Sequence, residues 1–218
     1  MKQTLKRIIR NVKSINGNSL AEFATTTALM ATLAATAAPK LSEMSEGTKA
    51  EKSMNEIDKI LTQARNFYQD TANNEGRGRF PGQLKYNETV PATGAYATEV
   101  ACLAAIKGDN ATFTLFSSSD ATSWASVFGT SNADAPAPSS HQISLTENPV
   151  NPNSFDEYVG AEEFLNEFGG NAVKSPFQDG HYIYTVIAGS GSGTSSVSPI
   201  LFIADLESAR NFHKKLQP

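Results

Sequence analysis

The stretch Leu20 to Ala38 reads LAEFATTTALMATLAATAA, and it decides how the chain is organised. It contains no Gly or Pro, and Glu22 is its only charged residue. As an α-helix it spans roughly 28 Å at 1.5 Å per residue, about the hydrocarbon thickness of a bilayer. Its five threonines and many alanines make it only weakly apolar. The sequence therefore predicts a marginal membrane helix that is able to leave the lipid again.

The residues before this helix form a basic leader. The first 17 residues carry five positive charges and no acidic residue: Lys2, Lys6, Arg7, Arg10 and Lys13. Positively charged flanks stay on the cytoplasmic side of a membrane. We therefore predict a chain that crosses the cytoplasmic membrane once and places its C-terminal part outside.

The remainder of the chain is acidic. From Asn18 onward 13 basic residues face 22 acidic ones, a formal charge of about −9. This balance disfavours nonspecific binding to nucleic acid or anionic membranes, so no nucleic-acid partner is predicted. The single cysteine, Cys102, excludes an intrachain disulfide and is predicted to be a small buried residue on a helix.

Other interpretations of the N-terminal segment stay open. Ala35-Thr36-Ala37 resembles the small-residue cleavage pattern of a secretory signal, and an uncleaved anchor is also compatible with the sequence. Either one would make the chain a secreted or membrane-tethered binding domain. Ser19 and Glu22 match a capping box, which predicts that the helix begins near Ser19.

The segment from Gly17 to Phe23, GNSLAEF, is similar to the processing site of type IV prepilins and of the pseudopilins of type II secretion. In that family a basic leader ends in Gly, and Glu stands at the fifth position after the cleavage site. With Asn18 as the first mature residue, Glu22 is the fifth and Pro39 is the twenty-second. The resemblance implies cleavage between Gly17 and Asn18 and a helix kinked at Pro39.

The resemblance also implies a fold and a set of partners. The expected fold class is α+β, with a long N-terminal helix packed on a small antiparallel β-sheet. The expected divisions are a cleaved leader (1–17), a transmembrane and filament-core helix (18–38), its amphipathic continuation (39–75) and a globular head (76–218). The implied partners are further copies of the chain, a prepilin peptidase, and an assembly platform protein with its ATPase.

The resemblance assigns Glu22 a role in assembly. A carboxylate within a membrane helix costs roughly 2.5–3.5 kcal/mol on insertion scales and needs a partner. By resemblance, that partner is the amine of Asn18 on a neighbouring subunit, which leader cleavage frees. The assembled filament would lie at the cell surface or in the periplasm. A pilus fibre and a secretion pseudopilus are equally compatible with these residues.

The helix is predicted to continue beyond Pro39 with one weak stretch. Residues 40–53 are polar and include Gly47, which favours a partly unwound segment. Apolar periodicity then returns, and the helix is predicted to end between Ala72 and Gly76. The apolar stripe is expected to lie on a sheet and consists of Met54, Ile57, Leu61, Ala64 and Tyr68.

The rest of the head is predicted from shorter patterns. Helices are expected at 96–107, at 120–128 with Asp120 as its cap and Trp124, Val127 and Phe128 as its apolar face, and at 155–168, ended by Gly169-Gly170. A loop is expected at 131–140. Strands are expected at 111–116, 142–145, 181–188 and 199–205, the last two forming a hairpin around the glycine- and serine-rich loop 189–198.

The sequence shows no arrangement typical of an enzyme, and the chain is predicted not to be one. His141, His181 and His213 are scattered, and His213 is expected on a terminal helix. The adjacent pairs Glu162-Glu163 and Asp156-Glu157 are predicted to be solvated.

The segment from Ser175 to Tyr184 resembles a C-terminal region of major pseudopilins. Because family members bind calcium in loops of this region, the resemblance makes Asp179 and Asp205 candidate calcium ligands. No other cofactor is predicted.

Overall fold

The computed structural model describes the backbone of residues 2–92, 94–107, 123–138 and 159–218. Side chains are described within these ranges from Ser19 onward, except that of Val159. The described chain forms two compact units, Met1–Thr48 and Lys49–Pro218, referred to as the N-terminal and C-terminal units. The predicted strands at 111–116 and 142–145, the cap at Asp120 and the pair Asp156-Glu157 lie outside the described residues.

One helix dominates the N-terminal unit and continues into the next. Helix α1 spans Lys2–Glu75 and includes Pro39. It begins 17 residues before Ser19, so the start predicted from the capping box is wrong. Segment 40–53 is helical throughout, because Gly47 lowers helix propensity by only about 1 kcal/mol and its neighbours are good helix formers. The predicted weak stretch is therefore also wrong, whereas the kink at Pro39 stays a prediction.

The end of α1 is where the sequence predicts it. The helix stops at Glu75, and Gly76 follows with φ +82°, a left-handed conformation that glycine adopts without strain. Arg79 folds back and donates to the carboxylate of Glu75. This contact holds the turn that leads out of the helix.

The C-terminal unit is an antiparallel sheet between helices. Its strands are β1 (Ala125–Ser126), β2 (Tyr182–Ile187), β3 (Ile200–Asp205) and β4 (His213–Leu216), in the order β1-β2-β3-β4. The other helices are α2 (Glu99–Lys107) and α3 (Val159–Glu167), and a short 3₁₀ turn spans Gly193–Ser195. This arrangement confirms the predicted α+β class with a long helix on a small antiparallel sheet.

The strands alternate between two apolar cores, one on each face of the sheet. Tyr184 and Ile203 point toward the face that holds Ile57 and Ile60 of α1, together with Phe164 of α3. The intervening side chains point to the opposite face, a second buried cluster formed by Cys102, Ile106, Trp124, Ile183, Phe202 and Ala204. Successive side chains of a strand point to opposite faces, and both faces of this sheet are buried. Nearly every residue of β2 and β3 is therefore apolar.

Burial confirms the predicted stripe on α1. Ile57, Ile60 and Ala64 are fully buried, and Met54, Leu61 and Tyr68 pack at the margin of the same core. Full burial of one isoleucine stabilises the folded state by roughly 1.5–3 kcal/mol. Cys102 is buried on α2, as predicted, and burial raises the pKa of its thiol to about 12.

Two predicted helices are strands instead. Ala125 and Ser126 pair with Tyr184 and Ile183 of β2, so the helix predicted for 120–128 is wrong in its described part. The terminal helix expected around His213 is likewise wrong, because β4 begins at that residue. In both cases pairing with a distant strand outweighs a local pattern.

The predicted hairpin and the third helix are confirmed. β2 and β3 pair antiparallel from Tyr182↔Asp205 to Ile187↔Ile200. Helix α3 ends at Glu167, and Gly169 and Gly170 follow with positive φ angles. The described part of the predicted 131–140 loop contains no helix or strand.

Candidate functional site: the exposed apolar face of helix α1

Helix α1 carries a run of exposed apolar side chains. Within the described residues it is the one helix long and apolar enough to cross a membrane, and its most apolar 18-residue window has a mean hydropathy of 1.2. A signal sequence has the same properties. Among the residues from Ser19 onward whose side chains are described, the large apolar ones of the N-terminal unit are 65–76% exposed: Leu20, Phe23, Leu29, Met30, Leu33, Leu41 and Met44. Exposed apolar side chains in such a run are typical of a segment that contacts a membrane or a partner.

The threonines of this segment do not oppose an apolar environment, because their hydroxyls are satisfied internally. Each donates to a main-chain carbonyl three or four residues earlier at 2.7–3.1 Å: Thr25, Thr26, Thr27, Thr32 and Thr36. Such bonds hide the polar hydrogen against the helix. The segment is therefore less polar at its surface than its composition suggests.

Glu22 is the exception on this face. Its side chain is exposed, and no ion pair engages it among the residues whose side chains are described. Its main-chain carbonyl accepts hydrogen bonds from the hydroxyls of Thr25 and Thr26. Within residues 20–38, Glu22 is thus the one charged side chain, and none of the ion pairs between described side chains includes it.

The other sequence-predicted assembly residues lie on the same helix. Gly17 and Asn18 are helical, but they precede the residues whose side chains are described. Pro39 lies within the helix and has no N–H to donate, so the carbonyl of Ala35 lacks its usual partner. Gly17, Asn18, Glu22 and Pro39 are therefore arranged along one continuous element.

The two candidate calcium ligands have different surroundings. Asp179 is exposed, whereas Asp205 is completely buried at the end of β3. One oxygen of Asp205 accepts hydrogen bonds from the hydroxyls of Ser53 and Ser175, each at 2.7 Å. In the described ranges, no group of three or more His, Cys, Asp or Glu side chains is placed to hold a metal ion. Calcium binding stays a prediction.

One buried pair has the residue types of a nucleophile and its base. Ser126 Oγ and His181 Nε2 lie 2.7 Å apart, and the imidazole also interacts with the Pro136 carbonyl. Since that carbonyl can only accept, a ring N–H donates to it. Burial lowers the pKa of His181 to about 4. The two side chains are 0% and 2% exposed, so both are closed off from solvent in this structure.

A second polar contact was not predicted from the sequence. Glu163 of α3 forms an ion pair with Arg79 at 2.7 Å, and it accepts a 2.7 Å hydrogen bond from the main-chain N–H of Gly82. Burial raises its pKa, an effect that the hydrogen bonds from Gly82 and Arg79 oppose. The prediction that Glu163 is solvated is wrong, whereas its neighbour Glu162 is exposed as predicted.

Comparison with known proteins found no match for this chain among family models, curated proteins or solved structures.

Proposed function

We propose that this chain is a structural subunit of a type IV pilus-like filament, either a pilin or a pseudopilin. It is made as a precursor with a basic leader, residues 1–17, and cleavage between Gly17 and Asn18 releases the mature subunit. The precursor is stored in the cytoplasmic membrane with its C-terminal unit outside. The assembled filament lies at the cell surface or in the periplasm. In this proposal the chain has no catalytic role.

The exposed apolar face of α1 is the observation that carries the proposal. Burying its seven large side chains is worth on the order of 10–20 kcal/mol, at 1.5–3 kcal/mol for each. Lipid supplies that burial before assembly, and the helices of neighbouring copies supply it afterwards. The internally bonded threonines and the alanines favour the second state, since small residues let helices approach closely.

Glu22 gives the proposal its specificity. A bare anchor has no need for a carboxylate in its apolar segment, because the charge weakens insertion by a few kcal/mol. In an assembling subunit this cost favours association, because a nearby cation stabilises the carboxylate in the apolar surroundings. The amine of Asn18 on a neighbouring copy is such a cation, and it exists only after leader cleavage. Processing therefore controls assembly.

The packing of the C-terminal unit also supports the proposal. Residues 53–71 of α1 contribute buried side chains to one face of the sheet. The same helix therefore carries exposed apolar side chains within residues 20–44 and buried ones within residues 53–71. The partners required in trans are a prepilin peptidase, a platform protein and an assembly ATPase.

N-terminal sequencing and intact-mass measurement of the protein from its native host test the proposal. A mature terminus at Asn18, with or without a methyl group, supports prepilin processing. A terminus near Ala38 or Pro39 contradicts it, and the chain would then be an ordinary exported binding domain. The uncleaved Met1 terminus would leave only the anchor interpretation. A Gly17→Ala variant is expected to accumulate as the precursor.

A further inference from the structure

Helix α1 passes through a motif that normally begins a helix. Its backbone is helical over Lys2–Glu75, so Ser19 and Glu22 lie well inside it. The two residues match the S-x-x-E capping box, whose side chains satisfy free N–H groups at a helix start. In the continuous helix the main-chain N–H groups of these residues are already paired, and the motif has none to satisfy. The motif therefore favours a second conformation, in which a helix begins at Ser19.

The residues before Ser19 favour the same conformation. Asn16, Gly17 and Asn18 are consecutive, and both glycine and asparagine are unfavourable in a helix interior. By contrast, residues 28–35 are mostly alanine, leucine and methionine, which are good helix formers. Unwinding at residues 16–18 therefore costs less than unwinding in the apolar segment that follows.

Packing against the rest of the described chain does not hold this part of α1. All described side chains from Ser19 to Lys49 are exposed. The conformation near Ser19 therefore depends on main-chain hydrogen bonds and on the preferences of the local residues. A single capping residue is enough to shift such a balance, because it changes the stability of a helix start several-fold as an equilibrium constant.

The continuous helix protects the peptide bond between Gly17 and Asn18 from hydrolysis. In an α-helix the Gly17 carbonyl accepts from the N–H of Ala21, and the N–H of Asn18 donates to the carbonyl of Ser14. Hydrolysis adds water across this bond: a C–O bond forms at Gly17, the C–N bond breaks, and the amine stays on Asn18. Proteolysis acts on locally opened backbone, so both groups must first leave their helical partners.

We propose that Ser19 and Glu22 are positioning residues for leader cleavage: they cap a helix that begins at Ser19 and thereby hold the Gly17–Asn18 bond in unwound backbone. We call this the open conformation. In it the Ser19 hydroxyl accepts from the N–H of Glu22, and the Glu22 carboxylate accepts from the N–H of Ser19. Asn18 is then the residue before the cap, so the bond to be cleaved lies directly outside the helix. The inference rests on the proposed function, because that function requires the cleavage.

Glu22 then has two roles at different times. Before cleavage its side-chain oxygen accepts from a main-chain N–H, which the amide of glutamine also does in a capping box. After cleavage it pairs with the amine of Asn18 on a neighbouring copy, which requires a charge. Glu22→Gln should therefore be cleaved within about twofold of the wild-type rate but form no filaments, whereas Glu22→Ala should be cleaved more slowly. Equal cleavage of these two variants contradicts the capping role.

Cleavage of the full chain in detergent micelles tests the proposal. Membranes of the native host supply the peptidase, and mass spectrometry follows the initial rate of leader release from the wild type, Ser19→Ala and Ser19→Asn. Alanine removes the cap, whereas asparagine lacks the hydroxyl but caps a helix as well as serine does. Ser19→Ala should be cleaved about fivefold more slowly, and Ser19→Asn within about twofold of wild type.

Two results overturn the proposal. If Ser19→Asn is cleaved as slowly as Ser19→Ala, the peptidase recognises the serine itself rather than the cap. If Ser19→Ala is cleaved as fast as wild type, the cap has no part in cleavage. Ser42→Ala is the matched control, because it makes the same exchange at an exposed position elsewhere on α1 and should leave the rate unchanged.

Hydrogen exchange of the uncleaved chain measures the open conformation without the peptidase. In peptides covering residues 14–22, Ser19→Ala should exchange about fivefold more slowly than wild type, and Ser19→Asn should match wild type. Equal exchange in all three proteins overturns the proposal. If the wild type is not cleaved between Gly17 and Asn18, the proposed function fails, and exchange still decides whether the open conformation exists. If the wild type is cleaved there but the Ser19 variants behave alike, this inference alone fails.

Discussion

Substitution of Glu163 by alanine tests the contact that joins α3 to the loop following α1. Glu163 makes two charge-assisted hydrogen bonds of 2.7 Å, one from Arg79 and one from the N–H of Gly82. The two charged side chains are 17% and 16% exposed, so solvent screens their attraction only in part. Hydrogen bonds to charged groups contribute about 1.5–3 kcal/mol each, and partial exposure lowers the sum. We expect a loss of about 2–4 kcal/mol in the free energy of unfolding.

The assay is urea and thermal unfolding of the full chain in detergent. It is followed by the near-ultraviolet signal of Trp124, which is buried in the second cluster against the sheet. For a chain of this size each kcal/mol lowers Tm by roughly 2–4 °C, so Glu163→Ala should lower it by about 4–16 °C. The matched control is Glu162→Ala, the exposed neighbour on α3, which should change the unfolding free energy by less than about 0.5 kcal/mol. Equal stabilities for the two variants would refute the role given to Glu163.

Three further predictions use the same protein. Glu22→Ala should abolish filaments in the native host while leaving the unfolding of the C-terminal unit unchanged. The control is Glu43→Ala, which removes an exposed acid from the same helix and should assemble normally. Filaments of the Glu22 variant in electron micrographs would contradict the pairing mechanism. Gly160→Ala should lower the free energy of unfolding in urea by about 1–3 kcal/mol, because its Cβ would overlap the Tyr184 hydroxyl. Gly47→Ala is the matched control, since its Cβ meets no atom and alanine favours the helix, so no loss of stability is expected. Because the pKa of His181 falls from 6.5 to about 4 on folding, the unfolded chain takes up the proton first, so stability should fall as pH drops from 6.5 to 4, by up to about 1.4 kcal/mol per unit. A His181→Gln variant should lose this contribution to the pH dependence of stability. The measurement is the urea midpoint of both proteins at pH 7, 5.5 and 4.5. Midpoints that fall in parallel for the two proteins would disprove the role of His181.

Local patterns in the sequence determined the elements whose stability depends on neighbours along the chain. Helix α1 ends at Glu75, where Gly76 supplies the left-handed residue, and its stripe from Met54 to Tyr68 meets the sheet as its 3.6-residue period requires. Strands β2 and β3 are apolar and β-branched between glycine-rich segments, and their pairing follows from the connecting loop. The roles given to Glu22 and Pro39 follow from the resemblance at Gly17 to Phe23, and they stay predictions.

Only the tertiary structure decided the elements and side chains whose environment comes from distant residues. Trp124, Val127 and Phe128 have helical spacing, yet the segment becomes β1 because it pairs with β2, nearly 60 residues away in sequence. Glu162 and Glu163 are adjacent and chemically identical, but only Glu163 points toward Arg79. In the sequence, Asp205 is indistinguishable from an exposed acid at the end of a strand. In the fold it is buried and accepts a hydrogen bond from Ser53, 152 residues away. Burial and charge pairing depend on which distant groups the fold brings together, and no local period in the sequence encodes that information.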